Sequence, residues 1–461
     1  MPDAADTLRG AADRLIATID ALVGAQLDAI LHHPRLRRLE GTWRGLAWLV
    51  QGIEPGAAVK VKVLNLPWPE LCRDLERAAE FDQSQTFRKI YEEEFGMPGG
   101  EPYGLLVIDH EVRHRPAADS PTDDVSALAA FAGVAAAAFA PTVLAASPAL
   151  LDADDFADLA TTSDPAAPLR QADHARWRGL SQREDMRFVA VALPRLLARP
   201  SWPDDPFRND GFRYAEAAAL AADRVWMNAG FAFAAVVARA FANHAWPADV
   251  RGSETDRRCG GLVDGMENEP FASDPAWFRP SLDIALTDRQ ERALIEAALM
   301  PLAALPFDEP AVFASVRSLQ RVPNAQARGG PENAARFTGP TGGAANANAR
   351  LSAQINSMLC VSRFAHYVKL KGRQMVGSFR TADEIERELH DWLQGYVNSN
   401  LAASGEVRAR FPLAAAQVTV RERPGRPGHF GCTVHLQPHF QLDDVAATFR
   451  LVTDLVSPGS Q

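Results

Sequence analysis

Cysteine is scarce and scattered in this 461-residue chain. Cys72, Cys259, Cys360 and Cys432 lie far apart with no CxxC pair, so no metal or disulfide framework is expected. Excess positive charge is also missing. The 48 basic residues are outnumbered by 58 acidic ones, for a net charge of −10, which argues against a general nucleic-acid binder or a partner for anionic membranes. The longest apolar runs, such as Val125 to Ala140, are alanine-rich and stop at Pro141. They fall short of the roughly 20 apolar residues that a hydrocarbon core demands, so no membrane insertion is expected. The N-terminus, MPDAADTLRGAADRL, is polar and acidic before it is apolar, unlike a signal peptide. The expectation is a cytoplasmic protein with reduced thiols.

Recognisable catalytic patterns are missing as well. The Gly-rich stretch GPTGGAANANAR has no Lys-Ser/Thr and follows no strand, so it is not read as a phosphate cradle. Gly-x-Ser-x-Gly is absent. His32 and His33 are adjacent without an HxxxH or HExxH partner. Asp109, His110 and Glu111 are consecutive in a run that reads as a strand, where neighbouring side chains point to opposite faces. Glu92, Glu93 and Glu94 read as a solvated face that could meet a basic patch across an interface. Trp43, Trp48, Trp226 and Trp392 fall in helical patterns and are expected in the core. No catalytic residue, cofactor site or metal site is predicted.

The remaining composition, 47% hydrophobic and 23% charged, is that of a globular chain long enough for two or more domains. Residues 7–31 read as an amphipathic helix through Leu8, Leu15, Ile16, Ile19, Leu22, Leu27 and Ile30. Pro34 can open a second helix, with a stripe of Leu36, Leu39, Trp43, Leu46 and Leu49. Val59 to Leu66, VKVKVLNL, alternates as a half-buried strand does. Helices are expected over 71–81 and 86–95, and a central strand over LLVIDHEV, 105–112. Helix 123–140, a strand at 141–146, helix 153–159 and a strand at 188–193 continue the alternation of an α/β layer. Alanine-rich 216–245 reads as one long helix, 288–300 as a helix after a Thr287 cap, and 311–319 as a strand or short helix. Residues 321–350, poor in large apolar groups, read as a linker or surface loop.

Leu351 to Phe379 carries apolar residues at three- and four-residue steps. Its late cations Arg363, Lys369, Lys371 and Arg373 are expected to complement the helix's own exposed carbonyls. Thr381 with Glu384 has capping-box spacing and opens a further helix through Leu389, Trp392 and Tyr396. Three β-like runs follow, 416–423, 431–436 and 447–453, the first two joined by the turn PGRPGH as a hairpin. The fold class is α/β (α+β), divided into 1–31, 32–320, 321–350 and 351–461. A small antiparallel sheet on a two-helix platform leaves a free edge, which must be covered or paired with another chain.

Several long stretches resemble one known family. LDAILHHPRLRRLEGTWRGLAWLV (27–50), TFRKIYEEEFGMPGGEPYGLLVIDHEV (86–112), RGLSQREDMRFVAVALPRLL (178–197), LCVSRFAHYVKLKGR (359–373), RERPGRPG (421–428) and LQPHFQLDDV (436–445) are similar, in collinear order, to the large subunit of the bacterial type VI secretion contractile sheath, the TssC/VipB family. The resemblance implies a non-enzymatic structural protein with a phage-tail-sheath-like body and a C-terminal sheet completed by neighbouring subunits. The partners it implies are a small sheath subunit, other sheath protomers, an inner tube of hexameric rings, a baseplate and a recycling AAA+ unfoldase. Here Met1 stands almost at the shared first helix, which leaves unfoldase recognition open to question. An accessory paralogue that binds the small subunit without polymerising is the alternative. Val418, Val420, Val434, Leu436, Phe449 and Leu451 are the candidate residues for strand exchange and assembly.

Overall fold

The computed structural model describes residues 4–97, 99–254, 258–271, 274–279, 281–305, 310–321, 353–375, 381–400, 403–422 and 430–439. The expected linker 321–350 (beyond its first residue), the hairpin turn at 424–429 and the third β-run with Phe449 and Leu451 lie outside them.

Two helices begin the chain, α1 (Ala4–Leu31) and α2 (Pro34–Gln51). Pro34 occupies the first turn of α2, and the His33 ring accepts the Arg35 amide at the cap. Next come α3 (Trp68–Arg77) and a π-helix, Arg88–Gly96, where a plain helical turn is predicted. The body is built on four parallel strands in chain order, β1 (Leu106–Val112), β2 (Thr142–Ala146), β3 (Val189–Leu193) and β4 (Met300–Pro301). Every residue of β2 and β3 is buried. Their unbroken β-branched and alanine runs suit a sheet covered on both faces. The β1–β2 crossover is α4 (Asp124–Ala138), capped by Asp123 and ended by Phe139 in the left-handed region at φ 49°. A second helix, α5 (Ala229–His244), lies against β1, β2 and β3. Helix α6 (Asp288–Glu296) carries a complete Thr287–Gln290 capping box and leads into β4.

The alanine-rich stretch 216–228 departs from the predicted long helix. Glu216 is drawn to Arg199, and Trp226–Met227 pairs with Leu196–Leu197 as a short antiparallel ladder, so only Ala229–His244 is helical. Val59 to Leu66 also departs: it is not part of any sheet, and Val61, Val63 and Leu64 are exposed. Residues 153–159 give a 3-10 turn at Phe156–Thr161 rather than an α-helix, and 311–319 contains only the two-residue strand Ala311–Val312. Each of these segments has propensity for the expected element, but tertiary partners override so weak a prior.

The C-terminal part holds α7 (Ile355–Met375), α8 (Ala382–Gln394), the short α9 (Gly405–Arg410) and an antiparallel hairpin of β5 (Leu413–Glu422) and β6 (Phe430–Pro438). Thr381 and Glu384 form both bonds of the expected capping box. Helices α7 and α8 and the hairpin share their own core, where Phe364, Leu389, Leu393, Leu413, Val418 and Val420 gather around Trp246 of the body. Trp246 stacks on Phe364 at 4.2 Å and meets Tyr396 edge-on at 4.9 Å, geometries that stabilise aromatic pairs beyond their buried area.

Candidate assembly surfaces

The strand β1 uses its charged triplet to tie three elements together. Asp109 accepts a hydrogen bond from Thr42 of α2. His110 lies 3.0 Å from Asp124 at the start of α4 and stacks on Trp68 at 4.2 Å. Glu111 receives Arg195 through two bonds of 2.6 and 2.8 Å, the bidentate geometry that favours arginine. Arg195 also reaches Asp283, whose carboxyl is buried and pushed up to about 7 by that burial. Alternate side chains therefore face different partners, and the triplet converges on no common point.

The acidic motif of the π-helix is not a solvated face throughout. Glu94 accepts from Lys62 at 2.7 Å and from the Glu101 amide at 2.9 Å, and these contacts hold its pKa below the usual carboxylate range against the cost of burial. Arg373 of α7 donates to the carbonyls of Phe95, Gly96 and Met97, which satisfies acceptors that a helix end leaves free. Lys369 sits over the Phe95 ring at 3.5 Å and over Tyr91 at 4.9 Å, within cation–π range. Arg373 therefore serves another element's terminus rather than that of its own helix, while Lys369 is used on aromatic rings. Patterning within one helix cannot signal that.

Helix α2 is seated by glycines together with only part of the predicted stripe, Leu49 and Leu46. Gly41, Gly45 and Leu49 are its buried residues, whereas Leu39 and Trp43 are exposed by 54% and 60%. A Cβ at Gly45 would come within 2.6 Å of the Phe231 ring, and one at Gly41 would collide with the Trp226 carbonyl. Small residues four apart let the backbones close. Trp226 itself lies in a two-residue strand, so its expected helical placement is corrected too.

The first helix is long and bare. Leu8, Leu15, Ile16, Ile19, Leu22 and Ile30 are each at least half exposed. An amphipathic helix with this face uncovered in water lacks its packing partner. No single helix among the described residues is long and apolar enough to cross a membrane.

In the hairpin, Val418 faces Val434 and Ala416 faces Leu436, with Val420 opposite Cys432. Four of the six candidate residues are thus brought to one face, against α7 and α8. The two edges differ. On β5, the Val420 amide is bonded to Glu386 of α8 at 2.8 Å and the Ala416 carbonyl to Gln394 at 3.3 Å. Along the outer edge of β6 no such cover occurs among the described residues. One border is sealed by side chains, as exposed edges often are, and the other has no such cover among the described residues.

His114, Asp152 and His174 also come together, which the sequence did not suggest. Nε2 of each histidine lies 3.8–3.9 Å from Asp152 Oδ1, but the rings stack 3.8 Å apart at 30°. Lone pairs lie in the ring planes, and planes so close and so nearly parallel do not meet about 2 Å from both nitrogens, as zinc requires. His174 Nε2 is moreover 3.0 Å from the Leu150 carbonyl. Burial, followed by the neighbouring His174, lowers the His114 pKa, which disfavours a charged His114 ring in the stack.

Residues 13–320 match the family described as EvpB/VC_A0108, tail sheath N-terminal domain, and residues 344–455 its gpW/gp25-like tail sheath domain. A Pseudomonas aeruginosa protein, "Type VI secretion system sheath protein TssC1", is 35% identical over 452 residues, covering 96% of this chain and 86% of that protein. A solved baseplate structure of the anti-feeding prophage overlaps 71% of this chain and 65% of its own at 11% identity, with a TM-score of 0.37, too low for a shared fold to be read from it. The matches define a tail sheath protein, a structural subunit of a contractile sheath. More narrowly, the chain belongs to the VipB family of type VI secretion sheath proteins.

Proposed function

We propose that this chain is the large sheath subunit that pairs with a small sheath subunit, polymerises around an inner tube of hexameric rings from a baseplate, and drives that tube by contracting. It works in the cytoplasm and transforms no substrate. The observation that carries the reading is the asymmetry of the hairpin, closed on β5 by Glu386 and Gln394 and without such cover on β6 among the described residues. A strand from a neighbouring protomer would satisfy the open amides and carbonyls, and a head-to-tail contact that repeats without closing generates a helical cylinder. In this reading 1–31 is a docking helix, 32–320 the body, 321–350 its connection, and 351–461 the assembly domain. Val418, Val420, Val434 and Leu436 hold the hairpin to its platform, while Phe449 and Leu451 belong to the exchanged strand. Contraction then repacks body against body while strand linkages persist. Likeness to a sheath protein over nearly the whole chain favours this role over that of an accessory paralogue.

Co-expression with the cognate small subunit, followed by negative-stain microscopy, tests it. Tubes with a hollow lumen are expected. Soluble heterodimers alone would instead indicate the accessory role, and failure to co-purify would refute the pairing.

A further inference from the structure

Arg195 and Asp283 stand opposite each other where three parts of the chain pair. The Leu197 amide donates to the Ser281 carbonyl at 2.7 Å, the Asp283 amide to the Arg195 carbonyl at 3.0 Å, and Leu196 bridges Leu282. Residues 281–284 are thereby strapped onto Leu196–Leu197, whose other side pairs with Trp226–Met227. Leu282 and Ile284 of the strap are buried. An opposite-charge pair across such a bridge ordinarily stabilises it, but this guanidinium is already taken. Glu111 holds Nε and Nη2 of Arg195 at 2.6 and 2.8 Å, while Asp283 reaches only Nη1, at 3.3 Å. The second oxygen of Asp283, Oδ1, has no hydrogen-bond partner among the described residues, and its side chain is 0% exposed against 34% for Glu111. Further charges face the site from neighbouring elements. Asp155, at the cap of the 3-10 turn, adds a third carboxylate around Arg195, and Arg37 of α2, which Asp223 attracts, repels the guanidinium. These two cations meet four carboxylates, and a buried charge left without full pairing is costly. Asp283 has the poorest bonding and the least water, so it is the carboxyl on which a proton is held.

We propose that Asp283 is a proton-controlled latch: while its carboxyl is neutral the 281–284 strap stays on Leu196–Leu197, and loss of the proton loosens it. Burial pushes this carboxyl up to about 7, with Asp155 and Glu111 acting the same way and Arg195 opposing them. In an opened strap the group meets water and ionises near pH 4. The open form therefore gains as pH rises from about 4 toward 7, and the gain levels off above that. The strap runs on to Thr287 and α6, which leads into β4 beside β3, so the latch sets how firmly that margin of the body is fastened. It works within one chain, independently of subunit pairing.

Hydrogen exchange of the purified full chain tests this at the Leu197 and Asp283 amides, with each rate referred to that of the unstructured peptide at the same pH. Protection of both is expected to fall about tenfold between pH 6 and pH 8. Asp283→Asn, similar in shape and unable to ionise, should hold protection constant within about twofold over the same range. Asp155→Asn preserves the cap of its turn, because Asn serves there as well, and removes one of the charges. It should move the levelling-off to lower pH, a readout that does not require Asp283→Asn to fold. Constant protection in the native chain overturns the latch, and so does a pH dependence that either variant leaves unaltered.

Discussion

Arg373 near the end of α7 donates to the carbonyl of Phe95 at 2.7 Å, across 278 positions of sequence, and the same guanidinium holds the carbonyls of Gly96 and Met97. The C-terminal part of the chain is therefore bolted to the motif KIYEEEFG of the body through the end of a π-helix. Hydrogen bonds from charged donors contribute about 1.5–3 kcal/mol each when a buried acceptor would otherwise go unpaired. Arg373→Ala is expected to lower unfolding stability by roughly 2–3 kcal/mol. Arg373→Lys should recover only part of it, since an ammonium does not span three carbonyls as a planar fork does. Urea denaturation of the three proteins measures this, and equal midpoints would contradict the bolt.

The seat of α2 is tested with a single methyl group. Gly41 faces the Trp226 carbonyl with no room for a Cβ, and this obstacle is backbone rather than a movable side chain. Overpacking of a filled core typically costs 1–3 kcal/mol, so Gly41→Ala is expected to destabilise by ~3 kcal/mol despite alanine's better helix propensity. Gly52→Ala, just past the end of the same helix and 3.4 Å from its nearest neighbour, should change stability by less than ~1 kcal/mol. Thermal melts of both variants distinguish packing from propensity.

His366 gives the fold a pH dependence of definite sign. Burial pushes its pKa down to about 4, with Arg363 and Lys369 nearby adding to the effect, and its Nε2 is 3.0 Å from the Ala138 carbonyl. The unfolded chain binds a proton at this residue near pH 6.5 and the folded one only near 4, so stability is full above about 6.5 and declines as pH falls through that window. At pH 4 the loss reaches ~3 kcal/mol from this residue. Denaturant titrations at pH 7.5, 6, 5 and 4 should show a steeper fall for the native chain than for His366→Leu. Parallel curves would remove His366 from the explanation.

Glu386 guards the β5 edge by accepting the Val420 amide. Glu386→Ala uncovers that edge, and uncovered edges recruit other strands. The expected outcome is a loss of roughly 1–2 kcal/mol together with concentration-dependent self-association in sedimentation velocity. A variant that stays monodisperse with native stability would show the edge to be protected otherwise.

Elements whose signal is local were legible in the sequence. The Thr381–Glu384 box and the Thr287 cap open their helices as expected, and the continuous apolar runs of β2 and β3 became central strands. Elements decided by distant partners were not. Ala217 to Val225 has helical propensity, yet Glu216 is held by Arg199 and Trp226–Met227 by Leu196–Leu197. The alternation of Val59–Leu66 reads as a half-buried strand, but the segment joins no sheet, and Val61, Val63 and Leu64 are exposed. At the assembly surface, four candidate valines and leucines were placed on one hairpin face. The roles of Arg373, Glu386 and the glycines of α2 stayed hidden, because a lone arginine, glutamate or glycine carries no pattern until its partner is located.

The most direct test of the whole account is a cryo-electron microscopy reconstruction of this chain assembled with its small subunit. The account predicts a helical cylinder in which the β5–β6 hairpin gains a strand from a neighbouring protomer along β6, with the β5 side still closed by Glu386. A cylinder in which β6 remains bordered only by solvent, or a preparation that yields no cylinder at all, would contradict it.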